Sequence, residues 1–249
     1  MDIDHILAHH LLDRRLAYLF HVGPLPVYLT IHGVMLLVAA ALVTVGTLTA
    51  RAQSGAVSTG WANFFEMIIV YIRDEIVRPN LGERGDKYLP YFLTLFFFIL
   101  TCNLLGLVPF GMTATSNVAV TGALAALTFL MIISSGIFEH GPVHFLQSFV
   151  PSGLPWWLVP VIFFFEVLGL FTKAFALCVR LFANMIAGHI AILVIISLIF
   201  LFRTLWLAPI SIVAAAAVSL LEVFICFLQA YVFTLLTALF VGAAVNPQH

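Results

Sequence analysis

Between Val161 and Leu201 the chain carries no proline and only three charged side chains, Glu166, Lys173 and Arg180. As a helix, at about 1.5 Å per residue, this run would be roughly twice as long as a hydrocarbon core of about 30 Å. Two solutions exist: two spans cut near Arg180–Gly188, or one long, steeply tilted helix. The stretch Arg180-Leu181-Phe182-Ala183-Asn184-Met185-Ile186-Ala187 holds no strong turn signal, which favours one helix over 156–201. Arginine keeps its proton in proteins, so Arg180 is a fixed positive charge several turns from either end of an apolar run. Such a charge at mid-bilayer costs at least about 2.5–3.5 kcal/mol. A chain carries that cost where the charge meets an anion or guards an ion path. Snorkelling to a lipid phosphate suits a residue nearer a helix end.

The rest of the chain repeats the apolar pattern. Residues 27–50, 89–108 and 118–138 are each long enough for one span, and 209–245 exceeds a perpendicular crossing, so it should tilt. The chain is 63% hydrophobic and 8% charged, with a mean hydropathy of +1.16. The expected fold is therefore an all-α polytopic membrane protein, a single membrane domain over 1–249. It has about five membrane-crossing helices and one amphipathic surface helix, the last two spans forming a long, tilted antiparallel hairpin. A net charge of -1 argues against a nucleic-acid partner. Cys102, Cys178 and Cys226 lie far apart in apolar segments and form no metal pattern, so they read as small buried hydrophobes. No internal repeat is visible. Residues 1–26 form a polar, His-rich tail that is neither a cleavable signal nor a transit peptide, and a solvated tail suits it better than a metal site.

Residues 51–88 hold five of the ten Lys and Arg residues: Arg51, Arg73, Arg78, Arg84 and Lys87. Trp61, Phe64, Phe65, Ile68, Ile72 and Ile76 recur at helical spacing, Ser58 or Thr59 suits a cap, and Pro79 marks an end. An amphipathic helix at the membrane surface follows, on the cytoplasmic side by the basic excess. Arg14, Arg15 and Arg203 count against that orientation, which puts the N-terminus outside and the C-terminus in the cytoplasm. The loop 139–155, rich in Gly and Pro, then faces the cytoplasm; Gly141-Pro142 between His140 and His144 speaks against a helical metal pair.

Polar residues in the last two helices are few, so their spacing is informative. Glu166, Lys173 and Arg180 are seven apart and share one stripe, which Asn184 joins; His189 points roughly the other way. Glu222 and Gln229 share a face of the last helix. If the chain turns near Thr204–Leu205, Arg180 falls level with Gln229, and His189 with Glu222, at two depths roughly 12 Å apart. Gln229 is then placed to hold the guanidinium. An imidazole beside a poorly solvated carboxyl suits a proton relay, and a static buried hydrogen bond between helices is the bland alternative. Asn103, inside the second span, reads equally as helix–helix glue or as a channel lining. Glu166 and Lys173 read equally as a surface pair near the cytoplasmic interface or as part of a path on that side.

The combination resembles the a-subunit family of the F-type ATP synthase. The likeness is most specific at Arg180–His189, then at Glu222 with Leu228-Gln229-Ala230-Tyr231-Val232-Phe233, and extends to Asn103–Pro109 and Thr115–Thr121. In this family the inlet pair occurs in either order; His189 first and Glu222 second resembles the mitochondrial type. The charged 51–88 segment and the unprocessed-looking start resemble bacterial members better. The resemblance implies a stationary subunit beside a rotating c-ring, joined to b subunits of a peripheral stalk in the lipid bilayer. It implies a bacterial inner membrane, or alternatively a mitochondrial one. His189 and Glu222, with Asn103 helping, would line an outer half-channel. Arg180, supported by Asn184 and Gln229, would face the ring's carboxyls. No cofactor, no metal and no catalysis by the chain alone are expected. Sodium in place of the proton, an ion-coupled secondary transporter and a haem-bearing carrier are the rivals. The transporter would show repeats and helices broken at mid-membrane, and the carrier would need axial His pairs, for which only His32 and His189 are candidates.

Overall fold

A computed structural model of the chain describes residues 15–22, 25–53, 60–108, 113–147, 149, 155–202 and 208–246. The first part of the His-rich tail, the cap candidates Ser58 and Thr59, and the turn around Thr204–Trp206 lie outside the described residues.

The described chain is almost entirely helical. Five helices are long and apolar enough to cross a membrane. They are α1 (Ile31–Gln53), α4 (Leu89–Leu107), α5 (Val118–His140), α7 (Val159–Phe202) and α8 (Ala208–Val245). The run that opened two possibilities is one uninterrupted helix, α7, of 44 residues. After Pro160 in its first turn it holds no proline and no cap at which to break, and in an apolar medium an interrupted helix would strand backbone groups.

Two features depart from the expected outline. A short antiparallel hairpin, β1 (Arg15–Val22) and β2 (Leu25–Thr30), precedes α1, with Tyr18 opposite Tyr28. It takes up the end of the expected tail and the start of the expected first span, so α1 begins at Ile31. Val27, Tyr28 and Thr30 suit a strand and Pro26 suits its edge, in a run too short to compete with the long apolar run behind it. Pro79, expected after a helix, instead sits in the first turn of α3 (Arg78–Leu81), where its missing N–H is harmless. Helix α2 (Trp61–Tyr71) runs through a π-helical turn (Ile72–Val77) into α3 and a 3-10 turn (Gly82–Lys87). The loop after α5 carries a short helix, α6 (Pro142–Gln147).

The described residues form two compact units built from interleaved segments. One draws on Met1–Gly46, Phe97–Val120 and Leu181–Ala230. Within it, a 3-10 turn (Ala114–Ser116) follows α4, and the Asn117 side chain accepts the Ala119 amide at 2.9 Å to cap α5.

The other unit draws on Thr47–Phe96, Thr121–Arg180 and Tyr231–His249. It contains the charged segment. Ala62, Phe65, Ile72, Ile76, Val77 and Leu81 are buried, so its apolar face packs within the protein; Phe64, expected on that face, is exposed. Glu139, at the end of α5, gathers Arg84, Lys87 and the Tyr88 hydroxyl and ties the 3-10 turn to that helix. Arg73 and Arg78 share Asp74, and Arg78 forks onto Asp86. The Arg73 hydrogen bond holds the Asp74 carboxyl below the usual carboxylate value, and Arg78 does the same for Asp86. A depressed carboxylate contributes fully above its ordinary range and loses its contribution as pH falls through its folded value. Amide exchange over residues 72–87, corrected for intrinsic rates, is therefore expected to stay level between about pH 5 and 8 and to rise only in stronger acid. Loosening centred near neutral pH would point to a different cause.

Candidate functional site

The first unit brings a set of polar side chains together among apolar helices. His189 stands at its centre, on α7. Its Nδ1 lies 3.0 Å from the Met185 carbonyl one turn back and 3.0 Å from Glu222 Oε1 on α8. The N–H direction favours Met185, so the carboxylate contact is close but not an aligned hydrogen bond. Both Glu222 oxygens are buried and lack a hydrogen-bond donor, and the residue is 2% exposed. On the other side of the ring, Nε2 lies 2.8 Å from Thr113 Oγ1 and 3.2 Å from the Gly106 carbonyl at the end of α4. The level pairing of His189 with Glu222 thus appears as contact.

Asn103, fully buried on α4, accepts from the Thr115 hydroxyl at 2.8 Å, while its Nδ2 has no partner. Gln229, expected to hold the Arg180 guanidinium, has its hydrogen bond within the first unit. Gln229 Oε1 accepts from Asn184 Nδ2 at 2.8 Å, and Gln229 Nε2 is buried without a partner. Asn184 thus satisfies the Gln229 carbonyl oxygen and leaves the Gln229 amide nitrogen open. Arg180 is half-buried, and its Nη1 is buried with no hydrogen-bond partner. An unsatisfied buried donor costs about 1–3 kcal/mol, more when charged, and this one sits on a helix with no further cation within a turn.

Glu166 and Lys173 make no ion pair with each other. They line a cavity of about 760 Å³ in the second unit, with Arg78, Asn80 and Asn246. Lys173 Nζ lies 5.3 Å over the Phe240 ring. His140 and His144 hold their rings 5.8 Å apart, and His140 Nε2 is 2.8 Å from the Val245 carbonyl. Among the described residues no group of three or more His, Cys, Asp or Glu side chains is arranged to hold a metal ion.

Sequence reasoning passed over Thr113, Gly106 and Gly188. Thr113 lay in a turn that looked merely polar. The two glycines are needed for close approach. A Cβ on Gly188 would fall within the Glu222 carboxylate, and one on Gly106 within the Thr113 side chain. A glycine inside an apolar helix, one residue before the only histidine of that helix, was the available signal. Gly169, also on α7, has open space around a notional Cβ. Gly188→Ala is expected to lower thermal stability in detergent by about 1–3 kcal/mol, as overpacking does. Gly169→Ala is expected to be neutral or to stabilise by up to about 1 kcal/mol through helix propensity. Equal thermal midpoints for the two variants would show that the Gly188 approach is not tight.

The chain matches the family described as ATP synthase A chain over residues 32–242. It is 43% identical over 256 aligned positions to the ATP synthase subunit a of Chloroherpeton thalassium, covering 98% of this chain and 76% of that protein. The chain belongs to the ATP synthase subunit a family. The ATP synthase subunit a of Myxococcus xanthus is 45% identical, with 91% of this chain and 76% of that protein aligned. That of Anaeromyxobacter dehalogenans is 46% identical over 89% of this chain, which spans 59% of that longer relative. Within the family frame, the polar set on α4, α7 and α8 and the unsatisfied Arg180 are the parts of this subunit that packing alone leaves unexplained.

Proposed function

We propose that this chain is the stationary, ion-conducting subunit of an ATP synthase membrane sector, working against a ring of c subunits. Each c subunit is read as carrying a carboxyl that is protonated while it faces lipid. A proton enters from the outside through a half-channel lined by His189, Glu222 and Asn103 and neutralises a ring carboxylate leaving Arg180. After the ring has turned, a protonated carboxyl reaches the cytoplasmic side. There it gives up its proton, because the nearby guanidinium favours the ionised form. Glu166 and Lys173, on the wall of their cavity, serve the release side. Arg180 also separates the two paths, since a fixed cation repels a passing proton and does not itself discharge. The drive is the membrane potential, about 2.3 kcal/mol per charge per 100 mV, together with the pH difference.

The observation that carries this reading is Arg180 Nη1, buried and unpartnered on a membrane-length apolar helix. It is a charge prepared for an anion that this chain does not supply. A second support is the breadth of apolar surface on α7 and α8, including Phe164, Phe171, Phe175, Leu220 and Phe224, all more than half exposed. Exposure on that scale suits lipid and a partner bundle. The b subunits are read as holding the chain still, in a bacterial inner membrane with the N-terminus outside and the C-terminus in the cytoplasm. The chain carries no chemistry of its own; ATP is made or split elsewhere in the complex.

Purification in mild detergent tests the partnership. A small two-helix protein bearing a membrane carboxyl is expected to co-purify in many copies per copy of this chain. Recovery of this chain alone, from membranes in which it is abundant and ATP-driven pumping is intact, would overturn the reading.

A further inference from the structure

We infer that the Thr113 hydroxyl is the group through which His189 exchanges its outer proton, a relay and positioning residue on the inlet path. The inference rests on the function proposed above and adds to it a residue that the inlet pair alone does not include. It follows from what surrounds the ring. Nδ1 faces the Met185 carbonyl and Glu222 Oε1, each at 3.0 Å. Nε2 faces the Gly106 carbonyl at 3.2 Å and Thr113 Oγ1 at 2.8 Å.

A carbonyl oxygen accepts and never donates. Met185 and Gly106 therefore serve the ring only where the adjoining nitrogen carries a proton. A histidine that passes protons spends part of each cycle with one nitrogen bare. A bare nitrogen facing only carbonyl oxygens meets lone-pair repulsion and an unmade hydrogen bond, both costly in a poorly solvated site. A carboxyl and a hydroxyl are different: each accepts in one state and donates in another. Each ring nitrogen thus has one fixed neighbour and one reversible neighbour, and the reversible ones, Thr113 and Glu222, lie at opposite nitrogens.

The path that results runs through the ring. An incoming proton from outside water binds a lone pair of Thr113 Oγ1 as the hydroxyl's own proton passes to Nε2. One O–H bond is made, one is broken, and the threonine ends unchanged. The proton on Nδ1 then leaves for the Glu222 carboxylate, and the ring is left neutral with its proton on Nε2, where the Gly106 carbonyl accepts it. Once Glu222 has passed its proton on, a turn of the ring about its Cβ–Cγ bond restores the starting form. The hydroxyl needs only to rotate, without movement of heavy atoms.

The site is built for this hydroxyl. Thr113 is 3% exposed, and Ser116 Oγ donates to its carbonyl at 2.7 Å. Gly106 leaves the space its side chain fills, so that Oγ1 and the Gly106 carbonyl reach Nε2 together. A threonine that merely filled volume would not need its oxygen at hydrogen-bond distance from the ring; valine has the same shape.

The test measures initial rates of ATP-driven proton pumping in membrane vesicles that hold the whole complex, with the amount of assembled subunit as reference. Thr113→Val is expected to lower the rate about tenfold or more and Thr113→Ser to keep it within about twofold of the parent. Arg180→Ala is measured in the same series. If Arg180→Ala pumps normally, the proposed function fails, and the inference with it. If Arg180→Ala is inactive while Thr113→Val pumps at the parental rate, only the present inference is overturned. Equal loss in the valine and serine variants also overturns it, since shape rather than the hydroxyl would then be at stake. Where Thr113→Val fails to assemble, Thr113→Gly is compared with Thr113→Gly/Gly106→Ser, which clears the Cβ at 113 and returns a hydroxyl from the opposite wall. Recovery of rate in the double variant supports the relay, and a rate fixed at the Thr113→Gly level refutes it.

Discussion

Arg180→Ala is expected to abolish ATP-driven proton pumping, by about a hundredfold or more, while the complex still assembles. The guanidinium is buried enough that Nη1 meets neither water nor a protein acceptor, so its removal relieves an electrostatic penalty within this chain. Assembly should therefore survive, and the loss should fall on transport. Two functions leave together in the proposed cycle. Without the cation, a ring carboxyl has no reason to release its proton at the cytoplasmic side, and nothing keeps the outer path from joining the inner one. Passive proton leak through the membrane sector is expected to rise as pumping disappears. Arg180→Lys separates the two effects: an ammonium restores charge but can discharge in a dry site, so it should retain part of the coupling with a larger leak than the parent. Pumping near the parental rate in Arg180→Ala, measured by dye quenching in vesicles, would show that the charge is structural.

The second large effect concerns the inlet pair. His189→Ala removes the group that contacts Glu222, Thr113 and Gly106 at once, and it is expected to slow pumping by at least about tenfold. Glu222→Gln keeps the shape of the side chain and removes its ability to take a proton, so its loss should be substantial but less complete. The exchange His189→Glu/Glu222→His is the discriminating variant. Two groups that pass a proton between them should tolerate a change of order better than the loss of either. Gly188, with no side chain of its own, lets the side chain at position 222 approach α7 in either arrangement. More activity in the exchanged protein than in either single variant supports a paired relay. Equal or lower activity reduces His189 and Glu222 to a static link between two helices.

Much of this could be read from residue order alone. Membrane helices must satisfy their own backbone, so length and apolarity define them locally, and the five spans were legible for that reason. The lack of a strong turn signal around Arg180–Gly188 likewise favoured one helix over two spans, and α7 is one helix. Arg180 and the His189–Glu222 pair stood out because polar residues are scarce where each one is expensive. The β1–β2 hairpin did not stand out, because its strands are short, lack a clean alternation and border a stronger apolar signal. Pro79 misled because a proline that ends one helix and one that begins another look alike in sequence.

Sequence by itself determined the number and length of the spans and which few side chains had to be explained. Only the tertiary structure decided who meets whom among them. It joined Asn184 to Gln229 and left Arg180 Nη1 buried without a hydrogen-bond partner. It also drew Thr113 and the Gly106 carbonyl onto the far side of His189. The reason is physical. Span formation is a short-range property of apolarity and backbone hydrogen bonding, whereas a polar contact between helices depends on side-chain length and on the gaps that single glycines leave, and neither is fixed until the helices pack.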